Sequence, residues 1–300
     1  EDNTAGERGG GVNTSGIKSS IIICLMVVCG MLLGYFVLPR LMAPERFEEV
    51  MCSVKEMGYQ GVELAGLYGL EPGEVKRILD KVGLTPISAH VPLVDMIETL
   101  EQVIRDYKEI GVQYIVVPYL PEEYRPLTDG YEFVLGKMKE IGSTLRENGI
   151  TLLYHNHDFE FVTMPDGSFG FDDIYTQVPA TALQAEPDTC WIKVAGQNPA
   201  DYVKKYTGRC PIVHLKDFIK KGSPKNLYKL IGIETEEQTE EGGVFEFRPV
   251  GFGQQLWEPI LTASLEAGAG WVIVEQDEHY DLPSLEAARR SREYLKILGW

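Results

Sequence analysis

Apolar and polar positions follow two periods along this chain, in turn. Short runs of apolar, often β-branched residues, such as QYIVVP at 113–118 and WVIVE at 271–275, predict buried strands. Longer stretches with apolar residues three or four apart predict amphipathic helices. In order, the pattern predicts helix Ala43–Gly58, strand Gly61–Leu64, helix Glu71–Gly83, strand Thr85–Val91, helix Asp95–Gly111 and strand Val112–Pro118. Helix Tyr131–Gly149, strand Ile150–His155, a short helix Phe171–Val178, strand Ala182–Asp188, helix Pro199–Gly208 and strand Cys210–His214 follow. A long connection with the acidic loop Glu234–Gly243 leads to helix Trp257–Gly268, strand Trp271–Glu275 and helix Pro283–Leu298. Gly closes many of these helices, as a left-handed stop requires.

Strand–helix alternation of this kind predicts an α/β fold with a parallel sheet and helices outside. Seven strands are counted from Gly61, and a closed (β/α)8 barrel needs eight. The first is therefore expected within Leu32–Leu38, before the Ala43 helix. Leu32–Leu38 is the second half of an apolar run, Ile21–Leu38, 18 residues long without a charge. Alone, that run reads as a marginal membrane anchor, so three readings stand: strand one, an anchor with a broken barrel, or residues before about Leu41 foreign to this domain. Residues 1–20 are rich in Gly, Ser and Asn and read as a disordered tail, residues 21–40 as the apolar segment, and residues 41–300 as one barrel domain. Position 1 is not Met, which suits a fragment or a processed start.

Composition narrows the function. A net charge of −17 repels phosphate backbones, so nucleic acid is not expected as a partner. Cys24, Cys29, Cys52, Cys190 and Cys210 are scattered without a CxxC pair, which argues against thiolate zinc and disulfides and for a reducing, cytoplasmic setting. The alternative location is a membrane, through 21–38. The acidic loop reads as a solvated surface, and the closing helix as an outer one that a homodimer could use.

The chemistry gathers at strand ends. LLYHNHDFEF (152–161) runs from apolar residues straight into His155 and His157, which share one face. Asp188 follows Glu186 by two, Lys216 follows His214 by two, and Asp277 follows Glu275 by two. A barrel brings the C-terminal ends of its strands to one mouth. Two imidazoles and two carboxylates there (His155, Asp188, His214, Glu275) suit one divalent ion such as Mn, Co, Zn or Fe. Singly, each has a plainer reading: a hydrogen-bonded His, an Asp that caps the turn before Trp191, a Glu in an ion pair. Cys190 reads as packing, and Tyr154 and Trp191 as core or mouth-lining aromatics.

With KEMGYQGVELAG (55–66), ISAHVP (87–92), EPDTCWIKVAG (186–196), RCPIVHLKD (209–217), FEFRPVGFG (245–253) and WVIVEQD (271–277), these residues resemble the xylose isomerase-like TIM-barrel superfamily of sugar phosphate isomerases and epimerases. The likeness runs from about Met42 to Trp300. It implies a (β/α)8 barrel with one divalent metal held by Glu, Asp, His and Glu from strands five to eight. The last three fall on Asp188, His214 and Glu275; the first falls on His155, where many relatives have Glu. Ketose epimerases of this superfamily move the proton with two metal-bound glutamates, so the imidazole is a departure, and His157 or Glu160 is the candidate second base. The expected activity is metal-assisted proton abstraction next to the carbonyl of a small sugar or keto-sugar, giving isomerisation or epimerisation. Glu275 and His157 are the acid/base candidates, Lys216 binds a substrate oxygen or anionic group, and Glu63 and His90 contact hydroxyls. The alternatives are a keto-inositol or keto-sugar dehydratase and a non-catalytic metal- or sugar-binding barrel.

Overall fold

A computed structural model describes residues 22–27, 44–224, 227, 242–280 and 282–300, with side chains from residue 44 onward. Eight parallel strands form its main sheet: β1 (Ile22–Val27), β2 (Gly61–Leu64), β3 (Thr85–His90), β4 (Tyr114–Val117), β5 (Thr151–His155), β6 (Gln184–Glu186), β7 (Ile212–Leu215) and β10 (Trp271–Val274). Their order is β6-β5-β4-β3-β2-β1-β10-β7. A parallel bridge between Asp188 and His214, with His214 N donating to Pro187 O over 2.9 Å, joins β6 to β7 and closes the barrel.

Strand one is not where the periodicity puts it. It is Ile22–Val27, paired with β10 through Ile22↔Trp271 and with β2 through Cys24↔Gly61. Leu32–Leu38 lies outside the described residues, as do the 1–20 tail and most of Glu234–Gly243. A parallel strand reads as a continuous apolar run because both of its faces are covered, so 21–38 offers several equivalent windows and periodicity cannot choose among them. No helix among the described residues is long and apolar enough to cross a membrane.

Helices follow the strands: α1 (Pro44–Met57), α2 (Pro72–Val82), α3 (Leu93–Ile110), α4 (Tyr131–Glu147), α5 (Gly170–Gln177), α6 (Thr189–Val194), α7 (Pro199–Lys205), α8 (Trp257–Ala267) and α9 (Ser284–Ile297). Each amphipathic face meets the barrel; α2 buries Val75, Ile78 and Leu79, for example. Gly111 ends α3 at φ 93°, a left-handed turn that a side chain would strain.

Two elements escape the simple pattern. Asp188 starts α6, a helix too short for a period to show. The long connection after β7 contains the antiparallel hairpin β8 (Asp217–Gly222) and β9 (Gly243–Arg248). Its Phe218, Phe245 and Phe247 pack with Cys190 and Trp191 into a second apolar cluster, distinct from the barrel core.

Candidate metal centre and active site

The strand ends meet. One ligand atom each from His155, Asp188, His214 and Glu275 lies within 4.8 Å of the others, and all four residues are buried. Atoms that each stand roughly 2.0–2.2 Å from one ion need a span of about this size. His155 ends β5, Asp188 follows β6, His214 lies in β7 and Glu275 follows β10.

Asp188 caps a helix with one oxygen and leaves the other without a donor. Its Oδ1 caps α6, accepting from Cys190 N at 2.7 Å and Trp191 N at 3.1 Å. Its Oδ2 is buried and accepts no hydrogen bond. A buried carboxylate oxygen without a donor is costly, and a cation would satisfy it. His155 Nε2 stands 3.5 Å from this oxygen, and His214 Nδ1 stands 3.0 Å from Glu275 Oε2. Two nitrogens and two oxygens suit a borderline divalent ion, so the residues fit the metal that the resemblance implies.

Lys216 reaches into the same mouth, 2 % exposed. Its Nζ lies 2.7 Å from Asp277 Oδ2, 3.1 Å from Glu275 Oε2 and 3.8 Å from Asp188 Oδ2. Burial works against its charge, but Asp277, Glu275 and Asp188 outweigh burial and hold its pKa above the ordinary lysine value. The ammonium also faces Trp191 and Phe247, 5.5 and 5.0 Å from the ring centres. Burial likewise opposes the Glu275 carboxylate, yet Lys216 and His214 keep its pKa well below the usual range.

His157 is held differently. Its ring stacks on Phe159 (5.1 Å, 6° between planes) and on Trp191 (5.0 Å, 28°), and its Nδ1 has no hydrogen-bond partner. Burial, then the neighbouring His155 and Lys216, depress its pKa well below the usual imidazole value, so it is neutral. Glu160 supports this segment from behind: Tyr154 Oη donates to its Oε1, and His157 N donates to its Oε2 over 2.8 Å.

Glu63 and His90 lie beside the imidazoles, buried among other side chains. Ser88 Oγ donates to Glu63, whose Oε1 lies 2.9 Å from His214 Nε2 and 3.1 Å from His90 Nε2. Glu186 completes that layer. The strand-end pattern includes Glu186 and Asp277 but assigns neither a role; their spacing of two from Asp188 and Glu275 is the signal that they share the inward face. Phe245 and Phe247 carry no such signal, because a hairpin set by distant pairing brings them in.

Residues 53–298 match the family model for the xylose isomerase-like TIM barrel. An inosose dehydratase from Lacticaseibacillus casei is 25% identical over 285 residues, covering 86% of this chain and 91% of its own. A sugar phosphate isomerase/epimerase from Parabacteroides distasonis ATCC 8503 superposes with TM-score 0.70 at 18% identity, covering 92% of this chain and 94% of its own. A probable 3-DHS dehydratase from Bacillus anthracis superposes with TM-score 0.65 at 13% identity, covering 92% and 99%. These two structural likenesses are of fold.

Proposed function

The chain belongs to the xylose isomerase-like TIM-barrel family, and on that premise we propose that it is a divalent-metal-dependent lyase that removes water from a keto-inositol or similar keto-polyol. The observation that carries this is the meeting of His155, Asp188, His214 and Glu275 within 4.8 Å, beside the buried side chains of His157 and Lys216. Those four residues would hold the cation, which when bound supplies Lewis-acid polarisation of the substrate carbonyl.

The chain's own groups supply the proton chemistry. His157, neutral and with Nδ1 unpartnered, takes the proton from the carbon next to the carbonyl, and the electron pair moves toward the carbonyl oxygen. As that pair returns, the bond to the β-hydroxyl breaks. Lys216 gives the departing oxygen a proton, so water leaves; His157 and Lys216 then exchange protons with solvent. Glu275 and Asp277 keep Lys216 charged and placed for this transfer. Trp191 and Phe247 cover the ammonium and help exclude water from it.

Two things favour dehydration over epimerisation. His155 supplies an imidazole where ketose epimerases of the family supply a second carboxylate base. The relative from Lacticaseibacillus casei is an inosose dehydratase aligned along nearly its whole length. The test is mass spectrometry of keto-inositols and ketoses incubated in deuterated buffer with Mn, Co or Zn. Loss of one water supports the lyase. Deuterium gained without loss of water would make the enzyme an isomerase or epimerase, and tight binding with neither change a binding protein. Glu275→Gln is expected to abolish turnover and leave the fold intact.

A further inference from the structure

Each histidine of the cation site has a second ring nitrogen, and both of these face buried carboxylates. His155 Nδ1 stands 3.3 Å from Glu186 Oε2. His214 Nε2 stands 2.9 Å from Glu63 Oε1 and 3.3 Å from Glu186 Oε2, close to both charges though hydrogen-bonded to neither. His90 Nε2 hydrogen-bonds Glu186 Oε2 over 3.1 Å and stands equally close to Glu63 Oε1. Ser88 Oγ fixes the other oxygen of Glu63. Glu63 and Glu186 are wholly buried, and neither can relax into solvent.

Resting on the cation site proposed for this mouth, we propose that Glu186, Glu63 and His90 form a positioning layer that sets the tautomers of its two histidines. In the loaded protein His155 carries its proton on Nδ1 and presents Nε2, whereas His214 carries its proton on Nε2 and presents Nδ1. The two rings thus serve one cation through opposite nitrogens. The reason is geometric: Asp188 Oδ2 lies on the Nε2 side of His155, while Glu275 Oε2 lies on the Nδ1 side of His214. A far nitrogen held against a carboxylate, through a hydrogen bond for His155 and through charge alone for His214, favours the tautomer protonated on that side and makes the near nitrogen a better ligand. Glu186 is the shared member, within 3.3 Å of all three imidazoles.

One atom each of His90, His155, Glu186 and His214 also lies within 4.8 Å of the others, as a second cation site would require. A neutral imidazole has one lone pair to give. On this proposal His155 and His214 give theirs to the first cation site, which leaves the second group, where His90 Nε2 and His155 Nδ1 hydrogen-bond Glu186, as the positioning layer.

The experiment is long-range nitrogen–proton NMR on protein labelled at its five histidines and loaded with zinc, paired with zinc titration against a chelator. Expected are one zinc per chain, His155 protonated at Nδ1 and His214 at Nε2. Glu186→Gln should weaken zinc about 10–100-fold with the far-ultraviolet spectrum unchanged. Either tautomer reversed, a second zinc lost in Glu186→Gln, or unaltered zinc affinity in that folded variant would overturn the layer. The tautomers are read in the natural sequence, so the outcome does not depend on how the variant folds. Wild-type protein that binds no zinc, manganese or cobalt would instead overturn the cation site, and the layer with it.

Discussion

Lys216 sets its ammonium 2.7 Å from Asp277 Oδ2 while almost wholly buried. Taking one partner from a buried ion pair leaves an uncompensated charge, at a cost of about 3–5 kcal/mol. Lys216→Met should therefore lower stability by roughly that much, and turnover by about 10²–10⁴-fold if Lys216 is the proton donor. Asp277→Asn should cost less on both counts, because Glu275 still faces the ammonium at 3.1 Å. Urea unfolding and steady-state kinetics check both variants; full activity in Lys216→Met removes Lys216 from the mechanism.

His157 is the proposed base, and no atom of its ring belongs to either group of candidate cation ligands. His157→Asn should thus lower kcat about 10²–10⁴-fold while metal affinity stays within a few-fold. Chelator competition alongside kinetics separates the two effects. An equal fall in affinity and rate would make His157 a support for the site.

Asp217 anchors the hairpin base. Its carboxylate accepts from Phe218 N (2.9 Å), Gly251 N (3.0 Å), Gly253 N (3.0 Å), Gln255 N (3.2 Å) and Trp257 Nε1 (3.0 Å). Each buried donor left unmet costs about 1–3 kcal/mol. Asp217→Ala should lose at least about 3 kcal/mol in urea unfolding. Gly253→Ala should also destabilise, since a Cβ there would collide with the Asp217 carboxylate and the Phe218 carbonyl. Near-wild-type stability in both variants would show that the hairpin base is held by other contacts.

Glu160 gives stability a pH dependence. Burial raises its pKa to about 7 against an ordinary 4.5, although bonds from Tyr154 and from backbone N–H groups work the other way. The folded chain thus holds this proton more tightly than the unfolded chain. Its contribution is complete below about pH 4.5 and is lost as pH rises toward 7. The loss is on the order of 3 kcal/mol. Glu160→Gln cannot titrate, so its stability relative to the parent should improve from pH 5 to pH 8. Parallel stability–pH curves for the two proteins would exclude Glu160 as the source.

Metal should stabilise the fold. Loading the site at a hundredfold excess over Kd is worth about 2.7 kcal/mol, so stripping with a chelator should lower the Tm by several degrees and re-addition should restore it. Calorimetry of Asp188→Asn, which weakens the candidate site, should show little response to added metal.

The sequence by itself determined the architecture and named the residues of the candidate site. Alternating periods are local, because an amphipathic helix or a buried strand must show its burial in its own residues. Seven strands were legible for that reason, and so were the inward pairs His155/His157, His214/Lys216 and Glu275/Asp277. Tertiary structure decided what depends on distant partners. Pairing with β2 and β10 selected Ile22–Val27 from a uniformly apolar run. Pairing across a long connection made the β8–β9 hairpin and brought Phe245 and Phe247 to the site. Depth was decided there too: a period of two says which residues face the barrel axis but not which ends reach the mouth. Only closure of the barrel put Glu63, His90 and Glu186 against the imidazoles and left Asp188 Oδ2 without a donor.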